Sequence, residues 1–303
     1  MSLLVVGSIA FDSVATPFGE RRDILGGAAS YFSVGASLFT PVRLAGVVGE
    51  DFPEEHIQLF RERGIDLEGL QRVPGGLTFR WAGRYEGRMD VAETLETHLN
   101  VLGECTPSLP ERFRETEYVL LANDHPKNQL AVARAMTAPK LLMMDTMNLW
   151  IDHNRDELLE VLTAVDALVC NDEEARSLGE NTNLIGAMKT IRECGPRIVL
   201  VKKGEHGSIV LMDDRFFALP AWPLEKVVDP TGAGDTFASG VMGWLARQDR
   251  VDFPTLKTAM AYGTVVASYN VEAFGLDKLR TLRWGDIERR YQEFIRFLDL
   301  GLE

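Results

Sequence analysis

The sequence has few of the features that mark secreted or membrane-bound proteins. Its 303 residues include only three cysteines, Cys105, Cys170 and Cys194, which lie too far apart for a CxxC site and fit a reducing cytoplasm. No apolar run approaches the length of a membrane span. The N-terminal apolar run ends at Asp12 and has no basic residues before it, so we expect a buried strand there instead of a signal peptide. We therefore predict a cytoplasmic protein without a membrane partner.

The sequence also has fewer positively charged than negatively charged residues. The formal net charge of −13 argues against nucleic acid as a partner, because a nucleic-acid-binding surface needs an excess of lysine and arginine. A phosphate ligand is still compatible with this charge, since screening over about 8 Å leaves local dipoles and lysines in control. The sequence has neither a GxxxxGK[ST] string nor a GxGxxG string after a strand, so a Walker-type NTPase or a dinucleotide enzyme lacks motif support.

The composition and the order of apolar segments indicate an α/β protein. Hydrophobic residues make up 46% of the chain and charged residues 25%, close to the average for globular domains. Short continuous apolar runs, such as those at 3–8, 42–48 and 141–145, alternate with amphipathic helical patterns. Continuous apolar strands separated by helices are typical of a parallel sheet covered on both faces. We therefore predict an α/β fold with a mostly parallel central sheet.

The stretch from Val227 to Leu245 carries the most specific chemical signal. Asp229-Pro230 ends an extended run, a glycine-rich turn follows, and an amphipathic helix is predicted from Asp235 onward. Such a junction directs unpaired N–H groups outward at the positive end of a helix dipole, where a phosphate binds well. Asp235 in the first helical turn has two interpretations, a helix cap or a base that accepts a hydroxyl proton during phosphoryl transfer.

The string DPTGAGDTFASG within this stretch resembles the C-terminal signature of the ribokinase-like, or PfkB-type, family of sugar and nucleoside kinases. The resemblance implies a three-layer α/β/α fold with a small β-sheet lid, in a single domain over residues 1–303. The lid would be formed by residues 11–24 and 77–99, where loose alternation predicts an antiparallel hairpin. It also implies that Gly232, Ala233 and Gly234 form an anion hole and that Asp235 is the general base. The alternative is a glycine turn with an aspartate cap in an unrelated α/β protein.

Residues near the N-terminus are candidates for binding the acceptor. Asp12 follows the first predicted strand, at the edge of the sheet where ligands bind in open α/β folds. By the resemblance it would hydrogen-bond acceptor hydroxyls, and Gly26 and Gly27 would match the N-terminal GG signature of the family. Asn123, after a later strand, is a further acceptor candidate. The alternatives are that Asp12 is a solvent-exposed aspartate in a turn and that Asn123 caps a turn.

Two positions depart from the sugar kinases of the family. Ala10 and Tyr31 stand where enzymes such as ribokinase usually carry asparagine. Two lost amides remove hydrogen bonds that a sugar would use, and a tyrosine adds a flat apolar face. We therefore include Tyr31 among the acceptor-binding candidates. The change favours an acceptor that is bulkier or more aromatic than ribose, for which a nucleoside is one hypothesis.

Two further motifs resemble nucleotide-binding elements of the family. Asn171 to Glu174 matches an NxxE motif, which implies that Asn171 and Glu174 act near the nucleotide phosphates and that Glu174 contacts Mg²⁺ through water. A helix cap is the alternative for this spacing. Lys202, Gly204 and Gly207 match a TxGxxG motif that contacts ATP phosphates, with lysine in place of threonine. Asp145, at another strand end, is an additional candidate near the phosphates.

We therefore predict a PfkB-family phosphotransferase that uses ATP and Mg²⁺ to phosphorylate a hydroxyl group of a small sugar or sugar-like molecule. One alternative is a kinase of the same fold acting on a nucleoside or a hydroxymethyl heterocycle, and another is a non-catalytic ligand-binding relative. A homodimer formed through the lid is an open prediction. Asp229 is a candidate cation contact, but residues 272–276 lack the family's Gly-Ala loop, so we do not predict activation by potassium.

Overall fold

The computed structural model describes residues 1–89, 91–299 and 301. Within them, β-strands run, in chain order from β1 to β13, over Leu3–Val6, Ala10–Thr16, Gly19–Gly26, Val42–Gly49, Asp66–Val73, Phe79–Tyr85, Ala92–His98, Tyr118–Leu121, Leu141–Asp145, Ala167–Asn171, Ile198–Lys202, Ser208–Met212 and Arg215–Leu219. The α-helices, α1 to α11, span Ala28–Ala36, Glu54–Glu62, Val101–Glu104, Pro126–Ala135, Asn148–His153, Arg155–Leu162, Asp172–Leu178, Leu184–Glu193, Ala233–Gln248, Phe253–Asn270 and Trp284–Leu298. Nowhere in these residues is a helix both long and apolar enough to cross a membrane.

The larger sheet is mostly parallel, which confirms the predicted fold class. Its strand order is β13-β12-β11-β10-β9-β8-β1-β4-β5. Strands β4, β5, β1 and β8 to β11 pair in parallel, whereas β12 and β13 form an antiparallel edge. Except for the edge strand β5, which is largely polar and partly exposed, the parallel strands are apolar almost throughout, since they are covered on both faces.

Alternate residues of the central strands pack into two separate cores. Leu3 and Val5 of β1 contribute to a core that includes residues of α1, α9 and α10. Leu4 and Val6 contribute to a second core, with residues of α4, α6 and α8. The period of two along a strand places successive side chains on opposite faces, so the sheet is the middle of three layers.

The smaller sheet has the strand order β3-β2-β6-β7. Hairpins β2–β3 and β6–β7 are antiparallel, as predicted for the second, and β2 pairs in parallel with β6 to join them. Because β2 follows β1 after a short connection, the smaller sheet begins at the carboxyl end of the central sheet. Its strands lie within residues 10–26 and 79–98, close to the ranges predicted for a lid.

The strand order places the ends of several strands together. Strand β1 lies between β4 and β8, so the chain leaves β1 toward one side of the sheet and later returns on the other. Ligands in open α/β sheets bind at such a reversal, outside the carboxyl ends of the strands. The carboxyl ends of β8, β9, β10 and β11 carry, in that order, Asn123, Asp145, Asn171 and Lys202. These side chains therefore share one edge of the sheet with Asp12.

Some elements were not predicted from the sequence. Strand β13 and helix α5 lack a strong periodic pattern, and they form where neighbouring elements offer partners. Helix α8 has apolar residues at helical spacing, Leu184, Ala187, Met188 and Ile191, so the sequence does carry a signal for it. Helix α9 begins at Ala233, two residues before the predicted start at Asp235. Gly232 has a φ of 73° and serves as the N-cap, so the glycine turn leads directly into the helix.

We expect close packing of α9 against α10 to depend on a glycine pair. A Cβ atom on Gly240 would lie 2.7 Å from the Gly263 Cα, and one on Gly263 would lie 2.7 Å from the Phe237 carbonyl oxygen. Gly263→Ala should therefore lower the free energy of unfolding by roughly 1–3 kcal/mol, measured by denaturant titration. Gly285→Ala, in the first turn of α11 where a Cβ meets nothing within 4 Å, should be neutral or stabilising. Equal stability of the two variants would contradict this account.

Candidate active site

The glycine turn before α9 is held in place from both sides. One carboxylate oxygen of Asp229 accepts the Thr231 N–H at 2.9 Å, and the other accepts the Gly275 N–H at 2.9 Å. A Cβ on Gly232 would lie 2.3 Å from the Tyr31 ring, so only glycine fits this left-handed position. The turn is thus fixed with the first amides of α9 at the sheet edge, where the helix dipole favours an anion.

Asp235 lies in the first turn of α9 and is partly exposed. Burial raises its pKa to about 7, and the nearby charge of Asp145 acts in the same direction, whereas Lys202 and the Asp235 N–H lower it. A carboxyl group with such a pKa is present in both protonation states near neutral pH. This is the property required of a residue that accepts a proton in one step and releases it in another.

Lys202 places a positive charge beside the glycine turn. Its Nζ lies 3.1 Å from Asp145 Oδ2, and the two side chains are only 19% and 7% exposed. A Cβ on Gly234 would lie 2.9 Å from the same Nζ, so the ammonium group contacts the turn itself. Burial alone would lower the pKa of Lys202, but the carboxylates of Asp145, Glu174 and Asp235 together raise it above its usual value. The lysine therefore stays charged.

Asn171 and Glu174 form a capping box at the start of α7. The Asn171 Oδ1 accepts the Glu174 N–H at 2.7 Å, and the Glu174 Oε2 accepts the Asn171 N–H at 2.7 Å. The cap predicted as an alternative is thus present, and the role of both residues at nucleotide phosphates stays a prediction. Burial raises the Glu174 pKa to about 7, while Lys202 lowers it and Asp145 raises it.

The two glycines of the turn after β11 differ in their surroundings. Gly204 is exposed, with a φ of 52° and nothing near its hypothetical Cβ. Gly207 has a φ of 82°, and a Cβ there would lie 2.0 Å from the Leu219 carbonyl oxygen. Both glycines belong to the connection between β11 and β12, which starts next to Lys202. The structure therefore requires Gly207 for the path of the backbone, and leaves the Gly204 backbone open to a ligand.

Asp12 and the glycine pair, which are the predicted acceptor-binding residues, lie together. The Gly27 N–H donates to the Asp12 carboxylate, and a Cβ on Gly26 would lie 2.0 Å from the Asp12 Oδ2. Burial raises the Asp12 pKa to about 7; the Gly27 N–H lowers it, and the charges of Asp229 and Asp235 raise it. Asp12 and Asp235 are therefore close enough to interact electrostatically, although 223 positions apart in the chain.

Tyr31 lies beneath the glycine turn. The residue is 1% exposed, and its ring occupies the space next to Gly232. Burial raises the pKa of its hydroxyl, which has no hydrogen-bond partner among the described residues. The predicted contact between Tyr31 and an acceptor would require the ring to emerge from this position.

Asn123 is oriented by two side chains from the segment that follows β9. The Trp150 Nε1–H donates to the Asn123 Oδ1 at 2.8 Å, and the Asn123 Nδ2 lies 3.0 Å from the Met147 sulfur. The His125 and Trp150 rings are 5.0 Å apart. Amide and aromatic groups thus lie side by side at the carboxyl end of β8.

Sequence reasoning missed the residues that hold Thr231. The Asn270 Nδ2–H donates to the Thr231 carbonyl oxygen at 2.8 Å, and the Thr231 hydroxyl lies 3.3 Å from the Tyr85 hydroxyl. These partners are 39 and 146 positions away from Thr231. No local pattern could have paired them, because both contacts depend on how α10 and the smaller sheet pack around the turn.

Known proteins resemble this chain over nearly its whole length. The cytidine kinase of Thermococcus kodakarensis is 27% identical over 253 residues, which cover 82% of this chain and 89% of that protein. The nucleoside kinase of Burkholderia thailandensis, solved with inosine, superposes with a TM-score of 0.81 at 18% identity, and covers 96% of this chain and 97% of its own. An Escherichia coli protein assigned as a ribokinase II, solved with ATP and Mg²⁺, gives a TM-score of 0.78 at 20% identity, and covers 96% and 99%.

The family model described as pfkB family carbohydrate kinase matches residues 4–281. The match includes both glycine motifs, the capping box and the turn before α9, so it covers every candidate residue described above. The sequence resemblance to ribokinase-like kinases is thereby confirmed, and the chain belongs to the PfkB family of carbohydrate kinases.

Proposed function

We propose that this kinase transfers the γ-phosphoryl group of ATP to a hydroxyl group of a nucleoside, with Asp235 as the general base. The observation that carries the proposal is the position of Asp235, in the first turn of α9 beside the glycine turn and within electrostatic reach of Asp12. A base and an anion-binding turn at one helix end are the two elements that phosphoryl transfer to an alcohol requires.

In the proposed reaction, Asp12 accepts a hydrogen bond from the acceptor and orients its reacting hydroxyl group toward Asp235. The Asp235 carboxylate takes the hydroxyl proton as the acceptor oxygen attacks the γ-phosphorus. The bond between that phosphorus and the oxygen that bridges it to the β-phosphate breaks, and ADP is the leaving group. The N–H groups of Gly232 and Gly234 stabilise the charge on the transferring group, and the Lys202 ammonium lies against the same turn. The Ala233 N–H donates to the Pro230 carbonyl oxygen at 3.1 Å, so the predicted role of Ala233 in the anion hole requires this hydrogen bond to open or to be shared. Positioning and electrostatics supply most of the rate acceleration in such a loose transition state.

The residues around Lys202 fit a nucleotide that carries Mg²⁺. In the described part of the chain, no group of three or more His, Cys, Asp and Glu side chains could hold a metal ion. Mg²⁺ binds through one or two carboxylates, waters and substrate phosphates, so the buried Glu174 is a sufficient contact through water. When bound, the ion would offset negative charge on the phosphates. Asn171, Lys202, Gly204 and Gly207 are the residues that we assign to the nucleotide.

Three observations support a nucleoside as the acceptor over a free sugar. The similar proteins include a cytidine kinase and a nucleoside kinase solved with inosine. Ala10 and Tyr31 remove two amide side chains that sugar kinases usually offer to hydroxyl groups. The Trp150 and His125 rings lie next to Asn123, where a flat base could pack. A free sugar is the second candidate, because the E. coli neighbour is assigned as a ribokinase.

A panel of acceptors tests the proposal. Purified enzyme with Mg-ATP should phosphorylate at least one of cytidine, inosine, adenosine and uridine, and kcat/KM for that nucleoside should exceed the value for ribose and fructose. ADP formation gives the rate, and mass spectrometry identifies the phosphorylated product. A higher kcat/KM for a free sugar would favour the second candidate. Transfer to none of the acceptors, despite ATP binding, would instead indicate a non-catalytic relative.

Removing the base should abolish most of the turnover. Asp235→Asn keeps the size of the side chain but cannot accept the proton, so kcat should fall by roughly 10²- to 10⁴-fold, as measured with the best acceptor. ATP affinity should change little. Asp156→Asn, in the first turn of the remote helix α6, is the matched control and should retain wild-type turnover. Turnover by Asp235→Asn close to that of the wild type would exclude Asp235 as the base.

The pH dependence of the reaction should follow the Asp235 carboxyl group. Because this group accepts a proton only when it is ionised, kcat should rise with pH and level off above its pKa of about 7. Lys202 lowers that pKa, so Lys202→Met should move the rising limb to higher pH, whereas Lys202→Arg should leave it in place. Profiles of kcat between pH 5.5 and pH 9 distinguish a shift of the inflection point from a change in the maximal kcat. An unchanged or lower inflection in Lys202→Met would contradict the assignment.

A further inference from the structure

Tyr85 connects the smaller sheet to the turn that precedes α9. It is the last residue of β6 and is 8% exposed. The Thr231 hydroxyl donates to the Tyr85 hydroxyl oxygen at 3.3 Å. Thr231 comes immediately before Gly232, so this contact ends one residue from the amides assigned to the transferring phosphoryl group.

Thr231 is held by groups from different parts of the fold. Its N–H donates to Asp229 at 2.9 Å, and its carbonyl oxygen accepts the Asn270 Nδ2–H at 2.8 Å. Asp229 precedes the turn itself and Asn270 ends α10, so these two contacts hold the turn against the main three-layer body. Tyr85, by contrast, belongs to the smaller sheet. The orientation of Thr231 is therefore sensitive to where that sheet lies.

Apolar packing places the Tyr85 ring at this junction. The ring belongs to a buried cluster with Val14, Met89 and Phe274, against which Val227 and Val228 pack. Val227 and Val228 directly precede Asp229, so the cluster spans from the smaller sheet to the approach of the glycine turn. Burial raises the pKa of the Tyr85 hydroxyl to about 12, so the hydroxyl group is neutral at neutral pH.

The base of the smaller sheet is held to the body by more hydrogen bonds than the end that carries Tyr85. Asp51, just after β4, accepts the Thr78 N–H at 2.8 Å and the Thr78 hydroxyl at 2.7 Å, and its other oxygen accepts Arg80 at 3.0 Å. The Thr78 hydroxyl oxygen also accepts the Gly49 N–H at 3.0 Å. A network fixes one end of β6, whereas the polar contact of Tyr85 at the other end is one long hydrogen bond. Such a contact can form and break while the base stays in place.

We propose that Tyr85 is a positioning residue, which aligns the Gly232–Gly234 amides through Thr231 when the smaller sheet lies over the acceptor side of the site. Tyr85 touches no reacting atom in this proposal. Its effect on phosphoryl transfer rests on the proposed function, but its effect on the order of the turn does not. Through this contact, the amides of the anion hole would reach their aligned positions only when the smaller sheet covers the acceptor. Phosphoryl transfer to the acceptor would then be favoured over transfer to water.

A double-mutant cycle tests the contact in the full-length protein. Tyr85→Phe keeps the ring in its apolar cluster, and Thr231→Val keeps the shape of the threonine, so each removes one hydroxyl group. Each variant should lower kcat by roughly threefold to tenfold, the effect of one hydrogen bond, with little change in KM for ATP. The double variant should lose no more than either single variant, and Thr231→Ser should restore most of the turnover. Tyr118→Phe, which loses a hydroxyl contact to Asp249, is the control and should resemble the wild type.

Hydrogen–deuterium exchange of residues 229–236 provides a readout that does not need activity. The amides of Thr231, Ala233 and Thr236 are hydrogen-bonded within the turn, so their exchange should be roughly threefold to tenfold faster in Tyr85→Phe and in Thr231→Val, without a further increase in the double variant. Additive effects on exchange, or wild-type exchange in Tyr85→Phe, would overturn the proposal. If the exchange effects are coupled but the wild type transfers phosphate to no acceptor, the proposed function fails and the positioning contact stands.

Discussion

The ion pair between Lys202 and Asp145 sets the charge balance on which the whole site depends. Burying a carboxylate is costly unless a positive charge or several N–H groups accompany it, and this sheet edge collects Asp145, Glu174 and Asp235 around one ammonium group. Burial, together with the charge of Asp145, raises the pKa of Asp235 and of Glu174 to about 7. Nucleotide phosphates would add further negative charge here. The lysine and the helix dipole would offset part of this charge, and the Mg²⁺ that we propose to accompany the nucleotide would offset more of it.

The parallel sheet explains how residues so distant in sequence share this charge balance. Asp145, Asn171 and Lys202 end the adjacent strands β9, β10 and β11, and neighbouring strands lie about 4.8 Å apart. Each of the three thus faces the same edge simply because each ends its strand. Asp235 enters from α9, which packs against the same sheet. The constraint is architectural, since a shift of one strand by a single residue would turn its side chain toward the opposite face.

Local signals were sufficient for most of the fold but not for the contacts within the site. Continuous apolar runs identified the parallel strands, and the Asn171–Glu174 spacing identified a cap that the structure contains. The Lys202–Asp145 pair, the burial of Tyr31 beneath Gly232 and the contact between Tyr85 and Thr231 depend on packing between elements far apart in sequence. Helix α9 starts two residues earlier than predicted because Gly232, in a left-handed conformation against the Tyr31 ring, is the N-cap directly before it. Sequence therefore indicates which residue types meet, and packing decides their orientation.

In the reaction that we propose, the catalytic groups and the acceptor-binding groups come from different parts of this molecule. The base, the anion-binding turn and the lysine belong to the three-layer body, whose two cores fix them on both faces of the sheet. The groups that we assign to the acceptor come from the smaller sheet and from the segment around Trp150. The smaller sheet contacts the body through its base network, through Phe11 and Leu25 in the first core, and through one apolar cluster. Parts that are less constrained by the core can change in shape without disturbing Asp235. The same catalytic arrangement can therefore serve acceptors as different as a sugar and a nucleoside, and the specificity of this chain has to be sought in its smaller sheet and strand-end loops.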